Sequence, residues 1–303
     1  MLEAMSARLH IGLARDGVAV VRSAGLTRRR VLAHGVHASA PAVMATSASG
    51  SAGSTGQALD ALLDALLARM AARPGGRRLR ADVVLSDDLV RHWIVAPPIN
   101  ARSIADCRLA AQARFVALFG QDIDGWHWDA DWRADRPFLA SALPKPLLTV
   151  LQQRCQAHGL RLAAVSPELV TGWNRWRRRL VAGDWLASVC GRRLTLVASD
   201  RAGLRQVGRL LLPADLADPP ASAGAWLQQA VQREALRWML EPPRRLCWSG
   251  QAPAPWQPAG MPPSPQAADW TCAVLAPSTQ VAECLAAASE ADRPALQLAL
   301  AAW

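Results

Sequence analysis

"LHIGLARDGVAVVRSAG", residues 9–25, decides how the rest of the chain is read. Leu9, Ile11 and Leu13 alternate with other residues, and so do Val18 and Val20. Asp16-Gly17 stands between the two runs. Alternation with period two around an Asp-Gly pair predicts an antiparallel hairpin. Val31 and Leu32 extend the pattern toward a third strand within residues 8–36. The same design returns at residues 184–210, "DWLASVCGRRLTLVASDRAGLRQVGRL", which reads as three strands joined by tight turns. Two such openings, each followed by a helix and a strand, predict a chain built twice on one plan.

Working outward, "SAPAVMATSASGSAGSTG" (39–56) is small and polar, and predicts a flexible loop. Leu59, Leu62, Leu63, Leu66 and Leu67 recur at helical spacing, and Pro74-Gly75-Gly76 ends that helix. "RADVVLSDDLVRHWIVAPP" (80–98) reads as two short strands. Residues 100–120 read as an amphipathic helix, capped by Asn100 or Ser103 and stopped by Gly120. Ile104, Cys107, Ala111 and Leu118 are its expected core stripe, with Phe115 and Phe119 at the edge. "WHWDADW" (126–132) and "RPFLASALP" (136–144) read as strands, then residues 145–170 as helix and strand. In the second half, residues 221–240 read as helix, 244–250 as a short strand and 251–268 as proline-rich loop, and the stretches 270–278 and 282–303 finish the chain.

Of the 303 residues, 51% are apolar and 19% charged, which fits a folded core and argues against disorder. The net charge of +10 would ordinarily point to an anionic partner. Yet Lys145 is the single lysine, the other basic residues are arginine, alanine abounds and tyrosine is absent. That composition is a mark of GC-rich coding, and nucleic acid is not the expected partner. Cys107, Cys155, Cys190, Cys247, Cys272 and Cys284 form no CxxC pair, so they read as buried small side chains in a reducing cytoplasm. The sequence shows no signal peptide and no run near the roughly 20 apolar residues of a membrane span, so any membrane link is expected to run through a partner. No metal site and no cofactor is expected: no His cluster has ligand spacing, and Asp122, Asp124, Asp129, Asp131 and Asp135 lack the rhythm of a calcium loop. Trp126, Trp128 and Trp132 should lie on one strand face with Asp129 and Asp131 on the other. No Ser–His–Asp or Cys–His set stands out, and His92 and His127 read as structural. "GWNRWRRRL" (172–180) concentrates Arg175, Arg177, Arg178 and Arg179 around Trp173 and Trp176. It reads as one basic helix face; as a binding surface it would suit an acidic partner segment or the inner membrane surface.

The duplicated order resembles the actin-like ATPase superfamily, and within it the PilM-like proteins of type IV pilus assembly and the cytoplasmic domain of GspL in type II secretion. Residues 83–170 carry the resemblance: a strand ending in Pro97-Pro98, Asn100 and a helix, an acidic and aromatic strand, then "FLASALPKPLLTVLQQRCQAHGLRLAAVSPE". The resemblance implies a mixed α/β, ribonuclease H-like fold in two lobes, residues 1–180 and 181–303. A strand–helix–strand–strand module would be inserted in the first lobe at about 93–143.

Nucleotide-binding relatives carry Gly-x-Asp-x-Gly at the first phosphate turn, where this chain has Ala14 for the acid and Asp16 for the second glycine. At the second turn, Val189 replaces the acid while Gly191 and Thr195 remain. The third turn keeps Gly250 but follows it with Gln251. A carboxylate at Asp16 would repel phosphate. Arg192 is the residue that could still reach one. The resemblance therefore implies a pseudo-ATPase: a non-enzymatic scaffold at the cytoplasmic face of the inner membrane. It would bind the tail of a PilN-like membrane partner beside the inserted module and link it to the motor ATPase. Trp93, Arg114, Phe115 and Phe119 are the expected groove residues. Two other readings stay open at this point: a working actin-like ATPase or sugar kinase with unusual phosphate turns, and an arginine-rich module for nucleic acid or acidic membrane.

Overall fold

The computed structural model describes residues 7–15, 17–24, 30–38, 61, 63–68, 79–201, 203–213, 220–250, 252, 256, 270–275 and 278–301. The expected loop at 39–56, most of the proline-rich stretch 251–268 and Asp16 lie outside them.

Two five-stranded sheets share one topology. In the first, β1 (Arg8–Ala14), β2 (Gly17–Ala24) and β3 (Arg30–Ala38) are antiparallel. On the other side of β1, β4 (Arg80–Leu85) and β8 (Arg161–Pro167) continue in parallel. The order is β3-β2-β1-β4-β8. In the second sheet, β9 (Asp184–Cys190), β10 (Arg193–Asp200) and β11 (Gly203–Leu211) are the antiparallel part. There, β12 (Arg245–Ser249) and β13 (Thr271–Leu275) run parallel, in the order β11-β10-β9-β12-β13. The hairpin–crossover plan legible in residues 9–25 and 184–210 is thus built twice.

Between β4 and β8 the chain makes a separate three-stranded antiparallel sheet, β5 (Arg91–Val95), β6 (Trp126–Ala130) and β7 (Phe138–Pro144), in the order β5-β7-β6. Helix α1 (Ile104–Phe119) covers one face of it. This is the strand–helix–strand–strand insertion, and its elements run from Arg91 to Pro144. Ser103 caps α1: its hydroxyl accepts from the Asp106 N–H while the Asp106 carboxylate accepts from the Ser103 N–H. Gly120 ends it at φ 62°. The buried stripe of α1 is Cys107, Ala111 and Phe115. Ile104 and Leu118, expected in the core, are exposed. The sheet below is three short strands wide, so it covers only the middle turns of a 16-residue helix.

Each five-stranded sheet is covered on both faces. Leu9, Ile11, Leu13 and Val83 meet Leu63, Leu66 and Leu67 of the helical stretch 63–68, and Leu151 and Cys155 of α2 (Lys145–Ala157). The opposite face carries Ala14, Ala19, Val21 and Val84. It packs on α5 (Thr279–Ala286) and α6 (Arg293–Ala301). The C-terminal helix α6 therefore rests on the first sheet, although residue 301 was grouped with the second half of the chain. Gly12 explains how: a Cβ there would stand 2.0 Å from the Ala295 carbonyl oxygen and 2.3 Å from the Ala299 nitrogen. Only glycine lets the α6 backbone come that close. In the second sheet, Trp185, Leu194, Leu196 and Trp248 pack on α4 (Pro220–Trp238). Leu186, Val197 and Cys247 pack on Leu169 and Trp176 of α3 (Glu168–Trp176).

Candidate functional site

Two places are candidates: the contact between the lobes, where the hairpin turns converge, and the space between the inserted module and the lobes.

At the first place, Ala14 is buried at the end of β1 in one apolar cluster with Cys190, Val281, Leu298 and Leu300. Burial and nearby carboxyls push the Cys190 thiol well above its ordinary range, so it stays neutral. Gly191 forms the β9–β10 turn at φ 56°, with no atom near where a Cβ would be. The glycine serves backbone conformation there. Arg192 does not reach toward a ligand: its guanidinium donates to the Leu212 carbonyl at 3.0 Å. The Val189 carbonyl accepts from Gln297 of α6 at 3.3 Å. Gly250 also faces Gln297, whose Nε2 would lie 3.2 Å from a Cβ.

The contact does hold acids that the turn patterns did not reveal. Asp87, just after β4, is buried. Its Oδ1 accepts from His92 Nε2 at 3.0 Å and from the Leu169 N–H at 3.1 Å. Its Oδ2 accepts from the Thr195 hydroxyl at 3.0 Å. The other His92 nitrogen bonds Ser141 Oγ at 2.8 Å. Arg209 of β11 donates to the carbonyls of Asp87 at 2.6 Å and Val90 at 2.9 Å. One carboxylate thus joins the first sheet, the module through His92, the N-terminus of α3, and the second sheet through Thr195. Burial alone would raise the Asp87 pKa. His92 and the donated hydrogen bonds outweigh it and hold the carboxyl below its usual range. Asp88 pairs with Arg193 at 3.1 Å. Glu168 is buried beside them, and desolvation together with the Asp87 and Asp88 charges pushes its carboxyl well above the usual range.

This donor set does not fit a magnesium-chelated triphosphate. Both Asp87 oxygens are occupied, Asp88 is paired, burial and the Asp87 and Asp88 charges disfavour an ionised Glu168, and the Ala14 and Val189 side chains offer no ligand atom. The gap left between Glu168, Thr195, Ser188 and Ser249 is about 10 Å³. That is room for about one water.

The second place is open. A cleft of about 940 Å³ runs between β6–β7 of the module, the end of β8, α3 with the turn after it, and the β10–β11 turn. Alternation along β7 explains its floor. Phe138, Ala140 and Ala142 point into the module core, while Leu139, Ser141 and Leu143 fall on the face that α1 does not cover. Val165, Val170, Trp173 and Leu204 add apolar walls. The arginine-rich stretch divides here: Arg175 and Arg179 lie over the Trp176 ring at 4.9 and 5.2 Å, while Arg177 and Arg178 are exposed in the cleft. Arg201 faces it from the β10–β11 turn. On the far wall Asp131 pairs with Arg133 at 3.6 Å. Asp129 accepts from the Trp132 ring N–H at 2.9 Å.

The four residues expected to line a groove are placed together but mostly inside. Trp93 and Phe115 are buried with ring centroids 5.1 Å apart, and Phe119 packs on both. The Trp93 ring N–H donates to the Ala111 carbonyl at 3.1 Å. They are the module's interior, on the opposite side of its sheet from the cleft. Arg114 alone of the four is exposed. The Asp122–Asp135 stretch makes caps and surface pairs, and no group of three His, Cys, Asp or Glu that could hold a metal occurs among the described residues.

Comparison with known proteins adds to this geometry. No protein-family model matches the sequence, and no curated protein matches it. Among solved structures, a chain of the PilM–PilN type IV pilus biogenesis complex superposes with a TM-score of 0.66 at 13% identity, over 97% of both chains. A Bacteroides thetaiotaomicron protein of unknown function with an actin-like ATPase fold matches at a TM-score of 0.51 and 10% identity, over 84% of this chain and 86% of that one. This chain has the actin-like ATPase fold. The cytoplasmic domain of EpsL, an inner membrane component of the Vibrio cholerae type II secretion system, shares that actin-like fold. Its TM-score is 0.52 at 11% identity, over 82% of this chain and 84% of that one. The buried Asp87 network lies at the contact of the two lobes, and the open cleft lies beside the inserted module.

Proposed function

We propose that this protein is a non-enzymatic, PilM-like scaffold of a type IV pilus or type II secretion-like assembly machine. It works at the cytoplasmic face of the inner membrane, holds the tail of a membrane-anchored, PilN-like partner, and links that partner to the motor ATPase. The two lobes, residues 1–180 and 181–303, act as one body in this reading, with α6 of the second part seated on the first sheet. The observation that carries it is the contrast between the two places. At the lobe contact the Asp87 oxygens and Asp88 are taken up by hydrogen bonds and an ion pair, while the cleft beside the module stands open at about 940 Å³. Likeness to a PilM–PilN complex and to EpsL supplies the machine. Recognition would use the apolar floor for side chains and, for backbone, the edges of β8 and β6 that carry no strand partner among the described residues.

The test is a pair of thermal-shift titrations on the full chain. Magnesium-ATP should leave the melting temperature where it was. The soluble cytoplasmic tail of a membrane-anchored, PilN-like protein from the same genome should raise it. A magnesium-dependent shift with ATP turnover, and no response to the tail, would overturn the proposal in favour of an active ATPase.

A further inference from the structure

The chemistry of the cleft narrows what it holds. Arg177, Arg178 and Arg201 all line it, from the turn after α3 and from the β10–β11 turn. None of the three has an ion-pair partner among the described residues. The arginines of the opposite wall differ, since Arg133 is held by Asp131 and Arg136 by Asp135. Like charges brought together this way repel one another until an anion neutralises them. A guanidinium fork matches a carboxylate with two parallel hydrogen bonds. Leu139, Leu143, Val165 and Leu204 give the same cleft an apolar lining.

We infer that the cleft takes an extended peptide segment of a partner protein, with apolar side chains on the floor and a pair of acidic side chains seated on Arg177, Arg178 and Arg201. This rests on the partner-binding reading above and specifies its chemistry. Concavity favours a peptide over a lipid surface. The arginines face into a recess floored by β7 and walled by α3, which a flat headgroup layer cannot enter. A chain in extended form also suits the edge of β8 that carries no strand partner among the described residues, the other edge being paired with β4.

Selection from a random twelve-residue peptide library against the full chain tests this without knowledge of the partner. Peptides that compete with one another and lose binding when Leu204→Trp crowds the cleft from its wall report the cleft. They should be acidic, and their affinity should fall about tenfold or more in Arg177→Glu/Arg178→Glu/Arg201→Glu. All three positions are on the surface, so the melting temperature should hold and show that the variant folds. In the same charge-reversed chain, selection should turn to basic peptides. Cleft-dependent peptides that are neutral or basic on the natural chain would overturn the acidic assignment and leave the scaffold reading standing. An absence of any cleft-dependent peptide would overturn both. Binding to phosphatidylglycerol vesicles that Leu204→Trp leaves unchanged and the arginine reversal abolishes would assign the arginines to a membrane surface and overturn the inference.

Discussion

Replacing Asp87 by alanine is the sharpest probe of how the lobes are held. The carboxylate accepts hydrogen bonds from His92, the Leu169 backbone and Thr195, all between 3.0 and 3.1 Å, in a buried site. Alanine leaves three donors without an acceptor. Each orphaned buried donor costs about 1–3 kcal/mol, and removing one partner of a buried ion pair costs about 3–5 kcal/mol in total. The two bounds overlap at about 3–5 kcal/mol. For a chain of this length that corresponds to a fall in Tm of about 6–10 °C. Asp87→Asn keeps the shape and can turn its amide toward the Thr195 hydroxyl, so it should cost less than alanine. Thr195→Val removes one spoke and should cost about 1–2 kcal/mol. Because both residues belong to one network, Asp87→Ala and Thr195→Val together should cost less than the sum of the two. Guanidinium unfolding followed by tryptophan fluorescence measures all four chains. An Asp87→Ala protein within 1 kcal/mol of the natural chain, or strict additivity with Thr195→Val, would refute the claim that this carboxylate joins the bodies.

Acid should weaken the same contact. The Asp87 pKa is held below its unfolded value, so its contribution is present above the ordinary carboxylate range and is lost as pH falls through the depressed value; Asp87→Asn should flatten the acid limb of a Tm–pH profile. Glu168 has the opposite sign: its raised pKa favours the folded state below the ordinary Glu value, and that contribution is lost as pH rises. Glu168→Gln should therefore melt higher than the natural chain at pH 7–8, with the gap closing toward pH 4; no gap at pH 8 would contradict a neutral Glu168. Gly12→Ala should cost about 3 kcal/mol or more, since its Cβ would overlap the backbone of α6. Hydrogen exchange in 293–301 should rise with it, and an undisturbed α6 would count against the packing described. Restoring the turn acids with Ala14→Asp/Val189→Asp should destabilise the fold and confer no magnesium-ATP binding by calorimetry, because Ala14 lies in an apolar cluster.

Much of the architecture was legible because short-range rules set it. Period-two alternation and glycine turns mark both hairpins, and the Ser103 cap with Gly120 brackets α1 correctly. The phase of α1 was misjudged at Ile104 and Leu118 because the width of the covering sheet is a tertiary property. The groove residues were drawn from the aromatic content of the module, and aromatic content first fills a core, as Trp93 and Phe115 do. Asp87 and Asp88 fall in the stretch 80–98, which reads only as two short strands. Nothing local ties Asp87 to Leu169 or Thr195, which lie 82 and 108 residues away. Gly12 did carry a signal, since a glycine in mid-strand marks a close backbone approach. What approaches it, a helix from the far end of the chain, became visible only in the fold. The arginines of 172–180 were seen as a single face, but Trp176 engages two and leaves two to the cleft.

Photo-crosslinking in the living host tests the central claim most directly. With a benzophenone side chain at position 204 in the cleft wall, the adduct mapped by mass spectrometry should be the cytoplasmic tail of a membrane-anchored pilus or secretion protein, and the same probe at position 192, in the turn between β9 and β10, should yield none. A probe at position 204 that captures no membrane-anchored protein, while position 192 does, contradicts the account.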